Sequence, residues 1–173
     1  VTVEIDGRSA SASVAGGQWK VALLPLSVGG PHAMKVTGKN AVTLTNILCG
    51  DVWICTGQSN MAGLLGGYKR GDTGNQRHYD GVPEANPMIR LFKLKQDGAD
   101  APQRNVVTDA SFGASWRVCD EESALEFSAT GYLFGSKVQP EIGVPVGLIH
   151  ATLGATSAEC WMSADTLLSR PEF

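Results

Sequence analysis

The rhythm of apolar and polar positions changes once along the chain, near Gly50. Before it the period is two. Val1, Val3 and Ile5 alternate with polar residues, Asp6-Gly7 reads as a hairpin turn, and Gly16-Gly17 marks a second break. Trp19, Val21 and Leu23 alternate again, with Trp19 at a core position of that strand. Gly29-Gly30-Pro31 reads as a turn leading into HAMKV, and Gly38-Lys39-Asn40 as one leading into AVTLTNIL. Short strands with turns at this spacing predict part of a β-sandwich over residues 1–49. About four strands do not close a sandwich, so this domain reads as incomplete.

Beyond Gly50 the apolar residues run together. DVWIC predicts a buried parallel strand. A short helix is expected over residues 59–65, running into a long polar surface loop over 63–86, then a strand at MIRLFKL (88–94) and further loop over 97–111. Residues 121–139 predict an amphipathic helix, with Leu125, Phe127, Leu133, Phe134 and Val138 apolar and acidic residues in the first turn, where the helix dipole favours them. Gly131 and Gly135, four apart, predict close packing of that helix on a sheet. VPVGLIHA reads as a second buried strand. Strand, helix, strand predicts an α/β domain with a parallel sheet over residues 50–173.

Hydrophobic residues make up 43% of the 173 and charged residues 18%, which places the chain among globular proteins. The net charge of -3, without a long run of either sign, points away from nucleic acid and from a membrane-binding basic face. The apolar stretches are shorter than a membrane span. The first residues already alternate like a strand and carry no signal peptide, so they read as the inside of a fold and leave location open. Cys49, Cys55, Cys119 and Cys160 form no C-x-x-C and no cysteine–histidine pair at ligand spacing, which argues against a zinc site. They leave one or two disulfides or buried free thiols as alternatives.

The chemistry concentrates at GQSNM, residues 57–61. A serine directly after a buried strand is either a helix N-cap or a nucleophile presented at a strand tip. If a helix begins at Ser59, its free N–H groups favour a developing oxyanion. Met61 stands where the G-x-S-x-G elbow requires glycine, so that motif does not apply. Gly154, in ATLGATSAECW after the VPVGLIHA strand, is a second candidate donor, because a glycine lets the backbone approach a substrate. Cys55, within the strand, reads as core. Of the histidines, His32 belongs to the β-rich part, His78 to the polar loop, and His150 to a strand end.

GDVWICTGQSNM resembles the first block of the sialate O-acetylesterase family, within the SGNH-type serine hydrolases. NPMIRLFKL, FSATGYLFG and VPVGLIHATLGATSAECW resemble later segments in the same order, and NAVTLTNILCGDVW resembles the junction between β-domain and catalytic domain. The resemblance implies an SGNH-like parallel-sheet catalytic domain, incomplete here, preceded by part of a β-sandwich. It implies Ser59 as nucleophile, and the N–H groups of Ser59 and Gly154 as the oxyanion hole. Gln58, Asn60 and His150 become candidate substrate-site residues, and Glu159 and Trp161 match recurrent positions with a structural role. The family usually has two glycines where this chain has Gly154-Ala155. Its later Q-G-E and D-x-x-H blocks, which bring a further donor, the general base and its orienting acid, do not occur in these residues.

The reading that follows is an esterase removing O-acetyl groups from sialic acid, needing no metal or organic cofactor, in a secreted, periplasmic or lysosomal-type setting. By itself the 173-residue chain is expected to have little activity. An acetylxylan-type deacetylase is the alternative within the class. A non-catalytic carbohydrate-binding protein, using aromatics such as Trp19 and Tyr79, is the alternative outside it.

Overall fold

The computed structural model describes residues 1–70, 79–97, 99, 101 and 103–170. The chain divides into two compact units, Val1–Asp51 and Val52–Phe173.

In the first unit, β1 (Thr2–Ile5), β2 (Arg8–Ser11), β3 (Gly29–Thr37) and β4 (Ala41–Cys49) form one sheet in the order β2-β1-β3-β4, antiparallel throughout. The alternation of Val1, Val3 and Ile5 is visible in the burial of Val3 and Ile5. Asp6 and Gly7 take the positive φ of the expected hairpin turn. Two expectations fail here. Residues 19–28 form no strand, and Trp19 is 43% exposed rather than in the core. Gly29-Gly30-Pro31 is no turn; it opens β3, where Gly30 presses so close to the Ile47 carbonyl that a Cβ would lie 2.7 Å from it. His32, on β3, is buried, with Nδ1 2.5 Å from Asp6 and Nε2 3.2 Å from the Ser27 carbonyl.

The second unit is mixed α/β. Its sheet has the order β5-β8-β6-β7, from β5 (Asp51–Gly57), β6 (Asn86–Lys93), β7 (Arg117–Cys119) and β8 (Val146–Thr152). β6 and β8 are parallel, and β7 is antiparallel to β6. Val52 lies against Gly147 at one end of β5, and the Leu153 N–H donates to the Gly57 carbonyl at the other, so β5 runs in the same direction as β8. The helices are α1 (Ser59–Ala62), α2 (Leu65–Arg70), α3 (Glu121–Leu125), α4 (Ala129–Ile142) and α5 (Ala164–Leu168). The helix expected over 121–139 is therefore two helices. Glu126 ends α3, and Ser128 starts α4 by accepting from the Gly131 N–H. The region expected as loop after residue 63 contains α2, and β7 had no signal in the pattern. Residues 71–78, including His78, lie outside the described residues.

Side chains of β8 alternate strictly between the two faces. Val146, Leu148, His150 and Thr152 are buried, and Gly147, Ile149 and Ala151 only half-buried. The buried face joins Cys55, Leu65, Ile89, Leu91, Phe112, Phe127 and Tyr132 in the core under α4. Both glycines of α4 meet the sheet, as their spacing predicts. A Cβ on Gly131 would lie 3.0 Å from the Cys55 sulfur, and one on Gly135 2.7 Å from Cδ1 of Leu148. DVWIC is a strand but not a buried one. It lies at the sheet edge with Val52 and Ile54 60% and 67% exposed, and only Cys55 is interior. All four cysteines are free. Burial raises the Cys55 and Cys119 thiols, Cys119 to about 11, so both sit in the core as neutral thiols. Among the described residues no helix is long and apolar enough to cross a membrane.

Two predictions follow from this core. Gly135→Ala gains up to about 1 kcal/mol of helix propensity but overpacks fully buried Leu148, which costs roughly 1–3 kcal/mol. Net destabilisation is expected in urea denaturation, and a raised midpoint would show that Leu148 yields freely. His150 is 3% exposed, and its imidazole is lowered to about 4, first by burial and then by the Lys93 ammonium, against smaller upward pulls from the Met61 backbone and Asp109. The folded chain thus keeps His150 neutral while the unfolded chain protonates it below about 6.5. Its contribution is complete above that pH and falls away as the pH drops toward 4, by about 2 kcal/mol between pH 7 and pH 5. The unfolding free energy of the wild type should therefore fall more steeply over this range than that of His150→Gln; parallel pH profiles would refute the assignment.

Candidate active site

At the end of β5 the chain turns through Gly57, whose φ of 136° lies in the region that favours glycine. Gln58 is the N-cap of α1, and Ser59 is its first residue. Ser59 is therefore not the capping residue, which removes one of the two readings its position allowed. The Gln58 side chain fills that role, accepting from the Ser59 N–H at 2.8 Å and from the Ser59 hydroxyl at 2.6 Å. Ser59 is exposed. Its backbone N–H and its Oγ converge on one oxygen atom, in this structure the amide oxygen of Gln58. A substrate carbonyl oxygen placed against the same N–H would have to displace it.

α1 is a single turn with no fully buried residue; half-buried Met61 packs against the core, and hydrogen bonds join the turn to the start of α4. Leu65 N–H donates to the Phe127 carbonyl, Ala129 N–H to the Gly63 carbonyl (both 2.9 Å), and the Thr130 hydroxyl to the Asn60 carbonyl (3.0 Å). Ser128, fully buried, also directs its hydroxyl at the Met61 sulfur (3.4 Å). Asn60 itself lines a cleft of roughly 180 Å³ with Leu65, Tyr68, Tyr79, Ala129, Thr130 and Leu133.

Gly154 lies one residue past the Leu153–Gly57 hydrogen bond, so the tips of β5 and β8 are adjacent. Gly154 is exposed, and a Cβ there would meet nothing within 4 Å. Ala155 takes φ 59°, a left-handed conformation that costs a non-glycine residue roughly 1 kcal/mol. His150 does not line the site. It is buried on β8, its Nε2 2.9 Å from the Thr152 hydroxyl and its ring 5.3 Å from that of Phe127. Among the described residues His150 bonds Thr152 and not Ser59. Among the described residues no three His, Cys, Asp or Glu side chains gather as a metal site. Glu159 and Trp161, expected to be structural, are surface residues of a 3-10 turn over Ala158–Trp161. Thr130, Ser128, Thr152 and Thr156 had no sequence signal of their own. The spacing S-A-T at 128–130, at the start of a helix, was the only available hint of a cap.

Comparison with known proteins agrees with this architecture. The chain is 28% identical to the sialate O-acetylesterases of mouse (Mus musculus) and human (Homo sapiens), over 86% of its own length. It spans 28% and 29% of the length of those two relatives. Its fold superposes on the crystal structure of a carbohydrate acetylesterase from Xanthomonas citri with a TM-score of 0.76, at 28% identity, covering 96% of this chain and 36% of that one. Residues 49–170 match the family described as carbohydrate esterase, sialic acid-specific acetylesterase, and the chain belongs to that family.

Proposed function

We propose that this chain carries the nucleophile half of a serine esterase that removes O-acetyl groups from a carbohydrate. The observation that carries the reading is the adjacency of two strand tips in an SGNH-like sheet. One presents an exposed serine in the first turn of a helix; the other presents an unobstructed glycine.

In this reading the Ser59 oxygen attacks the acetyl carbonyl carbon, and the proton leaves to an imidazole. The carbonyl oxygen gains the electron pair and accepts hydrogen bonds from the N–H groups of Ser59 and Gly154, Gln58 having swung out of the position it occupies at rest. Collapse breaks the ester C–O bond, the imidazolium returns its proton to the departing sugar oxygen, and an acetyl-serine is left. Water, deprotonated by the same imidazole, then releases acetate. The imidazole comes from a D-x-x-H block of the kind the family carries. His150 is unsuited to the part, because its ring is buried and already bonded to Thr152. None of these steps calls for a metal or an organic cofactor.

Sialic acid is the preferred sugar because the family description and the names of the curated relatives specify it. The Xanthomonas citri neighbour is called a carbohydrate acetylesterase without that restriction, so acetylated xylan is the comparison substrate.

Ser59→Ala in the full-length protein is expected to lower acetate release from an O-acetylated sialoside by at least about 10³-fold. Folding is checked by an unchanged urea midpoint. Release near the wild-type rate would refute the nucleophile assignment, and faster release from acetylated xylan than from the sialoside would replace sialic acid with a plant polysaccharide as substrate.

A further inference from the structure

A second cleft, of roughly 380 Å³, lies at the ends of β6 and β8. Lys95, Gln96, Asp97, Thr152, Leu153 and Trp161 are among the residues that line it. Its size falls within the range of ligand-holding clefts, about 300–1,000 Å³. Leu153 belongs both to this lining and to the bond that joins β8 to Gly57, so the cleft begins one strand away from Ser59.

Trp161 is 42% exposed, yet its one polar atom is satisfied within the protein. Its indole N–H donates to the Thr156 hydroxyl (2.9 Å), that hydroxyl donates to the Leu153 carbonyl (2.9 Å), and the Leu153 N–H donates to the Gly57 carbonyl (3.2 Å). Three hydrogen bonds in series therefore fix the ring relative to the tip that presents Ser59. What the ring offers outward is apolar surface in a set orientation, suited to the C–H face of a pyranose. The Lys95–Asp97 part of the lining offers the complementary polar chemistry. Lys95 and Asp97 form an ion pair at 3.1 Å, both about half exposed, giving N–H donors and carboxylate acceptors side by side for sugar hydroxyls. That wall is itself held, since Leu94 N–H donates to the His150 carbonyl and Lys95 N–H to the Val107 carbonyl.

We infer that this cleft is a carbohydrate subsite, in which Trp161 stacks on the sugar ring of the substrate and the Lys95–Asp97 wall binds its hydroxyls. The inference rests on the proposed esterase reading for its location relative to Ser59. The subsite positions the ring so that the acetyl group reaches the serine, and it contributes to sugar esters alone.

The test uses the full-length protein with Trp161→Ala and Trp161→Phe, assayed on an O-acetylated sialoside and on 4-nitrophenyl acetate. KM for the sialoside should rise at least tenfold in Trp161→Ala and by a smaller factor in Trp161→Phe, which keeps an aromatic face but loses the N–H bond to Thr156, while kcat/KM for 4-nitrophenyl acetate falls by less than that for the sialoside in both. An equal loss on both esters, or none on the sialoside, overturns the subsite. Binding is read separately on Ser59→Ala protein, by titration with N-acetylneuraminic acid and with xylotetraose. At least tenfold weaker binding of either sugar on further loss of the ring supports the subsite even if no sugar ester is hydrolysed; binding that ignores the ring, or no binding of either sugar, overturns it. Failure of the esterase reading is seen elsewhere, as full hydrolysis of both esters by Ser59→Ala.

Discussion

The serine turn depends on the junction between α1 and the first residues of α4, together with the packing of Met61 against the core. A four-residue helix cannot support itself, because its first turn fixes more backbone than its few hydrogen bonds repay. Its apolar anchor is Met61, half-buried against the core. The residues from Phe127 to Thr130 provide the rest of the support, and Ser128 serves both sides, capping α4 and facing Met61. The position of Ser59 thus depends on residues about seventy positions away. Those residues are in turn fixed by Gly131 and Gly135, which let α4 approach the sheet closely enough for the junction to form.

What the sequence made legible was whatever depends on short range. The two rhythms separated a β-rich stretch from an α/β stretch, the period of two marked Val3 and Ile5 as interior, and the glycine pair of α4 announced its contact with the sheet. The failures share a cause, which is that a pattern does not say how many neighbours a strand will have. DVWIC is apolar enough for the middle of a parallel sheet, yet it lies at an edge with Val52 and Ile54 exposed. Trp19, Val21 and Leu23 alternate correctly but pair with nothing as a strand. Gly29-Gly30-Pro31 has turn composition, but Gly30 serves close backbone approach to β4 instead.

At the site, residue types were readable and relationships were not. GQSNM marked the serine, and the end of VPVGLIHA marked the glycine. Nothing in the sequence said that Gln58 would cap the helix, or that its amide oxygen would lie against the Ser59 N–H and hydroxyl at once. Nor did the sequence separate His150 from a substrate-facing histidine. The alternation of β8 does so only once the covered face is known, because one step along the strand moves a side chain from interior to surface. The same parity that makes Leu148 a core residue makes His150 one too.

The edge position of β5 reaches beyond packing. Among the described residues β5 pairs with β8 alone, so separating it breaks one ladder. That strand ends in the residues that present Ser59. Within the residues described, β5 and β7 are the two end strands of this sheet, and one of them bears the serine, while β6 and β8 each lie between two neighbours. Backbone amides of β5 should therefore exchange with solvent more readily than those of β6 and β8, which places the reactive turn at the less protected end of the sheet.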